Sequence, residues 1–198
     1  MSTLLIAARA SLLTLLCTGV AYPLATTAIA QLLMPAAAAG SLVVDGRGQV
    51  VGSELLAQPF HGPAYFHPRP SAAGEAGWDA TASSGSNLST TSSKLRARAT
   101  AEVASLRAAG GSEAGPVPEE LVTTSASGLD PHLSPGAARW QVARVAAARG
   151  LLPARVTALV DALVEGRDLG LLGEPRVNVL LLNIALDNQF GPPARSGA

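Results

Sequence analysis

Between Ala10 and Val44 the chain runs for 35 positions without a single charged residue. A bilayer's hydrocarbon core is crossed by about 20 apolar residues in helical form. The stretch Ala10–Met34 exceeds that length, so a membrane helix over residues 10–34 is predicted. Thr14, Thr18, Thr26, Thr27 and Gln31 are polar interruptions that a membrane helix tolerates singly. Pro23 sits near the middle, removes one backbone donor and predicts a kink. A cleaved signal peptide is the rival reading. Ala28-Ile29-Ala30 and the Ala36–Ala39 run supply small-x-small sites, but the basic start is weak and the run is long for a signal. Leu16 before Cys17 argues against a lipoprotein site. Arg9 precedes the segment and Arg47 is the next basic residue, so the positive-inside bias puts the N-terminus in the cytoplasm and the remainder outside.

Composition matters here for what it excludes. Lys+Arg and Asp+Glu balance at 14 each, which disfavours nucleic acid as a partner. The single cysteine, Cys17, allows no intrachain disulfide and no CxxC metal site.

Past the apolar run, Leu42-Val43-Val44 and Gln49-Val50-Val51 flank Asp45-Gly46 and read as a β-hairpin, with Asp-Gly supplying positive φ. Gln58–Ser71 holds Pro59, Pro63, Pro68 and Pro70 together with Phe60, Tyr65 and Phe66. That is too proline-rich for regular structure and too aromatic for a plain linker. Thr81–Ser93 is a Ser/Thr/Gly/Asn tract whose composition alone fits a flexible linker. A helix then begins at Ser92 or Ser93, with Leu95, Ala99, Val103 and Leu106 at helical spacing, and ends at Gly110-Gly111. A loop over 110–118 and a strand over Leu121–Ser125 are expected next. Ser134-Pro135 caps a helix whose Ala138, Gln141, Val142 and Val145 share a face, ending at Gly150. Pro153 opens another, carrying Val156, Leu159, Val160, Leu163 and Val164, with Gly166 as its stop. In Val177–Leu186, Val177, Leu180, Leu181 and Ile184 fit a helix face, and a buried strand stays open. Disorder is expected for 191–198. The fold class is α+β: a single N-terminal transmembrane helix, then one mixed α/β extracytoplasmic domain over 35–190, with residues 1–9 as a short cytoplasmic N-terminus.

No phosphate cradle is visible. GxxxxGK[ST] is missing, and Asp45-Gly46-Arg47-Gly48 lacks the helix start that a dinucleotide loop requires. His61 and His67 have no acidic partner at ligand spacing, and no metal site is expected. Ser125, Ser127, Asp130 and His132 crowd one loop. A hydrolase triad is drawn from separated segments, so a hydrogen-bonded polar turn is the plainer reading. An exported Ser/His hydrolase and a membrane-anchored binding domain outside any pump remain as alternatives.

An ordered set of blocks resembles one family, the KdpC subunit of the bacterial potassium-transporting P-type ATPase. The blocks are Val50–Ser53, Gln58-Pro59-Phe60, Tyr65-Phe66, Arg69-Pro70-Ser71-Ala72, Asp79-Ala80, Ser84–Leu88 and Lys94-Leu95. Thr123–Pro135 is the longest, followed by Gln141-Val142, Arg144-Val145-Ala146, Leu172–Val179 and Leu186-Asp187. Three departures stand out: Trp78 in place of the usual Tyr, Ser84 in place of Gly, and the stretch Ser89–Ser93. The resemblance implies a retained anchor in the cell inner membrane, a periplasmic domain, and Thr81–Ser93 as part of the fold. It implies a non-catalytic subunit that stabilises the complex and, as a catalytic chaperone, raises the ATP affinity of the hydrolysing subunit. Expected partners are the potassium-channel-like subunit (KdpA), the P-type ATPase subunit (KdpB), a small KdpF-like subunit and membrane lipid. No cofactor is expected on this chain; ATP and potassium are handled by the complex. The residues expected at partner interfaces or in structural loops are Gln58, Pro59, Phe60, Tyr65, Phe66, Arg69, Pro70, Ser71, Asp79, Ser86, Asn87, Leu88, Ser125, Ser127, Asp130 and His132.

Overall fold

The computed structural model describes residues 2–111 and 115–193. It divides into two compact units, Met1–Val51 and Gly52–Ala198. The first is dominated by a helical stretch, Thr3–Leu33, long and apolar enough to cross a membrane and, among the described residues, the one helix that is. At 1.5 Å per residue its 31 residues reach about 46 Å. Helix α1 (Thr3–Leu16) passes into a π-helical turn at Cys17–Ala21 and then into α2 (Tyr22–Leu33). Pro23 explains that turn. Its ring crowds the carbonyl of Gly19, and widening the preceding turn relieves the clash. The Tyr22 N–H reaches back to the Cys17 carbonyl, five residues earlier. Thr18 and Thr26 donate their hydroxyls to the carbonyls of Thr14 and Tyr22, at 2.7 and 3.0 Å, so neither needs water. The helix stops because Met34 precedes Pro35 and is forced out of the helical region, with φ −141° and ψ 61°. One further turn, α3 (Pro35–Ala38), follows.

Strands β1 (Leu42–Val44) and β2 (Val50–Ser53) form a two-stranded sheet. The hairpin is as expected, but its positive φ lies at Gly48, not at Gly46. The loop is longer than a two-residue turn. The Asp45 carboxylate accepts the amides of Arg47 and Gln49 and closes it as an Asx turn.

In the second unit, α4 (Ser93–Leu106) is capped by the Ser92 hydroxyl. Helix α5 (Pro135–Arg149) is capped by Ser134 and ends at Gly150, in the left-handed conformation at φ 65°. Helix α6 (Pro153–Ala162) ends before the expected Gly166 stop, because the chain leaves at Leu163 to enter a β-hairpin. Strand β3 (His132–Leu133) pairs antiparallel with β4 (Val177–Asn178), His132 opposite Asn178. Asn178 then caps α7 (Val179–Phe190) by accepting the Leu181 amide.

Two expectations are corrected. Leu121–Ser125 is not a strand: Glu119–Leu121 is a 3₁₀ turn, and Glu120 turns its carboxylate onto the Ser134 amide and hydroxyl at the start of α5, where the helix dipole favours negative charge. Strand and helix share 177–186. Val177 and Leu180 of the expected face are buried, but Leu181 and Ile184 are only half-buried, and Val179, Leu182, Asn183 and Leu186 complete the buried set. The core gathers Phe66, Leu133, Trp140, Val145, Val156, Val160, Val177 and Leu186 between α5, α6 and α7. The fold is thus mixed helix and sheet with one N-terminal apolar helix. The expected tail of 191–198 lies outside the described residues from 194 on.

Candidate functional site

Three segments from the sequence reading converge in the second unit: the proline-rich loop, the Asp79–Leu88 tract and the Ser125–His132 turn. Proline leaves the loop without a ladder of its own, so its backbone needs other partners. Side-chain amides supply them. Asn183 accepts the Phe66 N–H through Oδ1 and donates to the Phe66 carbonyl through Nδ2, both at 2.9 Å. Gln141 does the same for His67, at 2.9 and 3.0 Å. Two amides on α7 and α5 therefore hold an irregular segment as neighbouring strands would. Arg144 donates to the carbonyls of Pro63 and Tyr65 and to Gln141 Oε1. Burial pushes its guanidinium down to about 10, which leaves it charged at neutral pH.

Phe66 is fully buried, which the loop's composition did not announce. Tyr65 lies over Arg149, whose guanidinium carbon is 4.9 Å from the ring centroid, and donates its hydroxyl to Asp187 at 2.9 Å. Arg149 completes the cluster with Asp187 at 2.7 Å and the carbonyls of Ala64 and Gly191. Phe60 leans on Tyr65 with ring centroids 5.8 Å apart. Pro59 and Phe60 also line a cleft of about 250 Å³, with His67, Pro70, Trp78 and Glu102. Gln58 is half-buried, in a gap that Gly52 keeps open by having no side chain.

Gly128 is where all three segments meet. Its φ is 67°, and a Cβ there would stand 2.5 Å from the Ser84 carbonyl oxygen and 2.8 Å from the Ala73 nitrogen. Ser71 donates its hydroxyl to the Gly128 carbonyl at 2.6 Å and accepts the amides of Ala73 and Trp78. Ser84 N–H donates to the Ser127 carbonyl, as does the Ser83 hydroxyl, both at 3.0 Å. Asp79 accepts the amide and hydroxyl of Thr81, which hold its carboxyl below the ordinary range. The tract from Asp79 is therefore built into the fold at least to Gly85, where an added Cβ would stand 3.0 Å from the Ala126 carbonyl oxygen. Ser86 and Leu88 are half-buried, and Asn87 takes φ 49°.

Within the turn, Ser127 accepts the Leu129 amide and lies 3.4 Å from the Ser125 hydroxyl. Asp130 accepts the His132 amide at 3.0 Å and faces Arg69 at 3.3 Å and His132 Nδ1 at 3.5 Å. Burial pushes its carboxyl up, but the hydrogen bonds from His132 and the charge of Arg69 outweigh it and hold it low. Arg69 also reaches the Thr124 carbonyl. Among the described residues, no hydrogen bond joins His132 to either serine, and no group of three His, Cys, Asp or Glu side chains is placed to hold a metal ion.

A sequence model described as KdpC: K+-transporting ATPase, c chain, matches residues 4–188. The chain belongs to the KdpC family. It is 64% identical over 191 residues to the potassium-transporting ATPase KdpC subunit of Myxococcus xanthus, covering 96% of this chain and 90% of that one. It is 58% identical over 171 residues to the Sorangium cellulosum KdpC subunit, covering 86% and 89%. The Rhodospirillum rubrum KdpC subunit is 56% identical over 178 residues, covering 90% and 91%. As a KdpC-family subunit of a potassium-transporting ATPase with one apolar N-terminal helix, the chain fits membrane association.

The residues that organise the proline-rich loop, Gln141, Arg144, Arg149, Asn183 and Asp187, are not among the expected site residues, although Gln141, Arg144 and Asp187 stand in the blocks that carry the resemblance. A signal existed for two of them. Gln141 and Arg144 sit on the buried side of α5, where helical period calls for apolar side chains.

Proposed function

We propose that this chain is a non-catalytic, single-span subunit of a potassium pump, with its folded unit outside the cytoplasm. The observation that carries the reading is the pairing, in one KdpC-family chain, of a 31-residue apolar helix that buries none of its residues with a unit whose irregular loops are fixed by buried amides. The helix supplies association in the bilayer, where threonines and small residues allow close packing. The folded unit docks on the other pump subunits, a potassium-channel-like subunit and the ATP-hydrolysing subunit among them. The proline-rich loop, the Asp79–Leu88 tract and the Ser125–His132 turn present that docking surface. The chain raises the pump's ATP affinity through a coupling free energy carried by the membrane subunits. Direct contact with ATP is disfavoured, because the sequence carries no GxxxxGK[ST] cradle for its phosphates. The test is assembly: a tagged full-length chain co-expressed with the other subunits of its own pump brings them through purification, and its deletion abolishes potassium uptake. Purification of the chain alone, with uptake unaffected by its loss, overturns the reading.

A further inference from the structure

The segment from Glu165 to Arg176 inverts the usual order of a surface hairpin. Its shaft is closed by backbone bonds between Glu165 and Arg176, at 2.8 and 3.0 Å, and between Asp168 and Leu172, at 2.8 and 2.9 Å. Every charged side chain on it is paired within the hairpin: Arg167 with Glu174 at 2.7 Å, and Arg176 with Glu165 at 2.9 Å and Asp168 at 3.5 Å. The tip is apolar and bare. Leu169, Leu171 and Leu172 are 91%, 81% and 61% exposed. Leu169 and Gly170 form the turn with φ 54° and 75°, both in the left-handed region. Such a turn favours Asn-Gly; a leucine there is strained as well as exposed. Neither solubility nor local stability is served by that choice, and an exposed apolar cluster marks a contact site.

We propose that residues 165–176 are a docking finger whose leucine tip seats in an apolar socket on another protein subunit of the pump. This rests on the reading of the chain as a pump subunit. Charge decides between a protein socket and a lipid surface. Surface-binding segments carry unpaired Lys or Arg and Trp or Tyr. The finger has no aromatic residue, its two arginines are paired, and three acidic residues against two basic ones leave it negative. An anionic leaflet repels such a tip, whereas an apolar protein pocket accepts it. The paired shaft arrives rigid, so little ordering entropy is lost on docking.

The experiment co-expresses tagged full-length chain with the other subunits of its own pump and measures their recovery in detergent and in lipid nanodiscs. Leu169→Asp with Leu171→Asp is expected to cut recovery about tenfold or more, with the circular-dichroism melting midpoint unchanged. Leu169→Gly relieves the strained φ and removes the tip side chain. It is expected to keep or raise the midpoint while cutting recovery about threefold. Wild-type recovery of partners by both variants overturns the proposal. So does loss confined to nanodiscs, which points to lipid, or a dimer of the chain alone that the aspartates dissociate, which points to a second copy. Where the aspartates lower the midpoint, Leu169→Gly decides by its own criterion. Failure of the wild-type chain to recover any partner overturns the parent reading, a result distinct from equal recovery by wild type and variants.

Discussion

The proline-rich loop and the 165–176 finger are both non-helical segments of the second unit, and they solve opposite problems. The loop turns one of its three aromatic residues fully inward: Phe66 is buried, and Asn183 and Gln141 satisfy the backbone around it. The finger turns its apolar residues outward and satisfies its charges within itself. Apolar content in a loop therefore carries two meanings, and the partners of the neighbouring polar groups separate them. Where buried amides and guanidiniums converge on the backbone, the apolar residue they surround belongs to the core. Where charges pair only with each other and leave leucines bare, the segment is built to meet something else.

The contrast breaks most sharply at its two apolar anchors. Phe66→Ala is expected to cost roughly 3–5 kcal/mol, whereas Leu171→Ala stays within about 0.5 kcal/mol, both read by urea unfolding of the full chain. Equal costs would collapse the distinction. Asn183→Leu keeps the volume but orphans the Phe66 N–H and carbonyl, and is expected to cost about 2–5 kcal/mol in the same assay. Gly128→Ala places a Cβ against backbone atoms of two other segments at a positive φ, and is expected to cost roughly 2–3 kcal/mol. The smallest effect is one of pH. Burial, then the charge of Arg144, holds the His67 ring below its ordinary 6.5, while its Nε2 donates to the Gly62 carbonyl. A lowered folded value favours the neutral ring. Its stabilisation is present above pH 6.5 and is lost as pH falls below it. His67→Gln should flatten the drop in melting midpoint between pH 7 and pH 5; an unchanged drop would remove His67 from the account.

The helices were legible because their ends are chemically marked: Ser134-Pro135 and Gly150 bound α5, and Pro153 opens α6. The uncharged run marked the apolar helix, although helical backbone starts earlier, at Thr3, since Arg9 disturbs no local hydrogen bonding. The site was legible only as segments. Phe66 and Asn183 are separated by 117 residues and His67 and Gln141 by 74, distances across which periodicity says nothing. The strand expected over Leu121–Ser125 does not form because Glu119–Leu121 turns tightly to bring Glu120 onto the start of α5, a contact 14 residues away. The finger is not legible in the sequence, because leucine is as common in cores as at contacts and only the exposure of Leu169, Leu171 and Leu172 shows that they face out.

The central claim is that this chain modulates a pump without handling nucleotide itself. The most direct measurement is the ATP dependence of the pump's ATPase activity with and without the full-length chain, paired with calorimetry of the chain alone against ATP. The account predicts half-saturation at lower ATP when the chain is present and no tight binding to the chain alone. Stoichiometric, tight ATP binding by the isolated chain, or an ATP dependence indifferent to its presence, would contradict it.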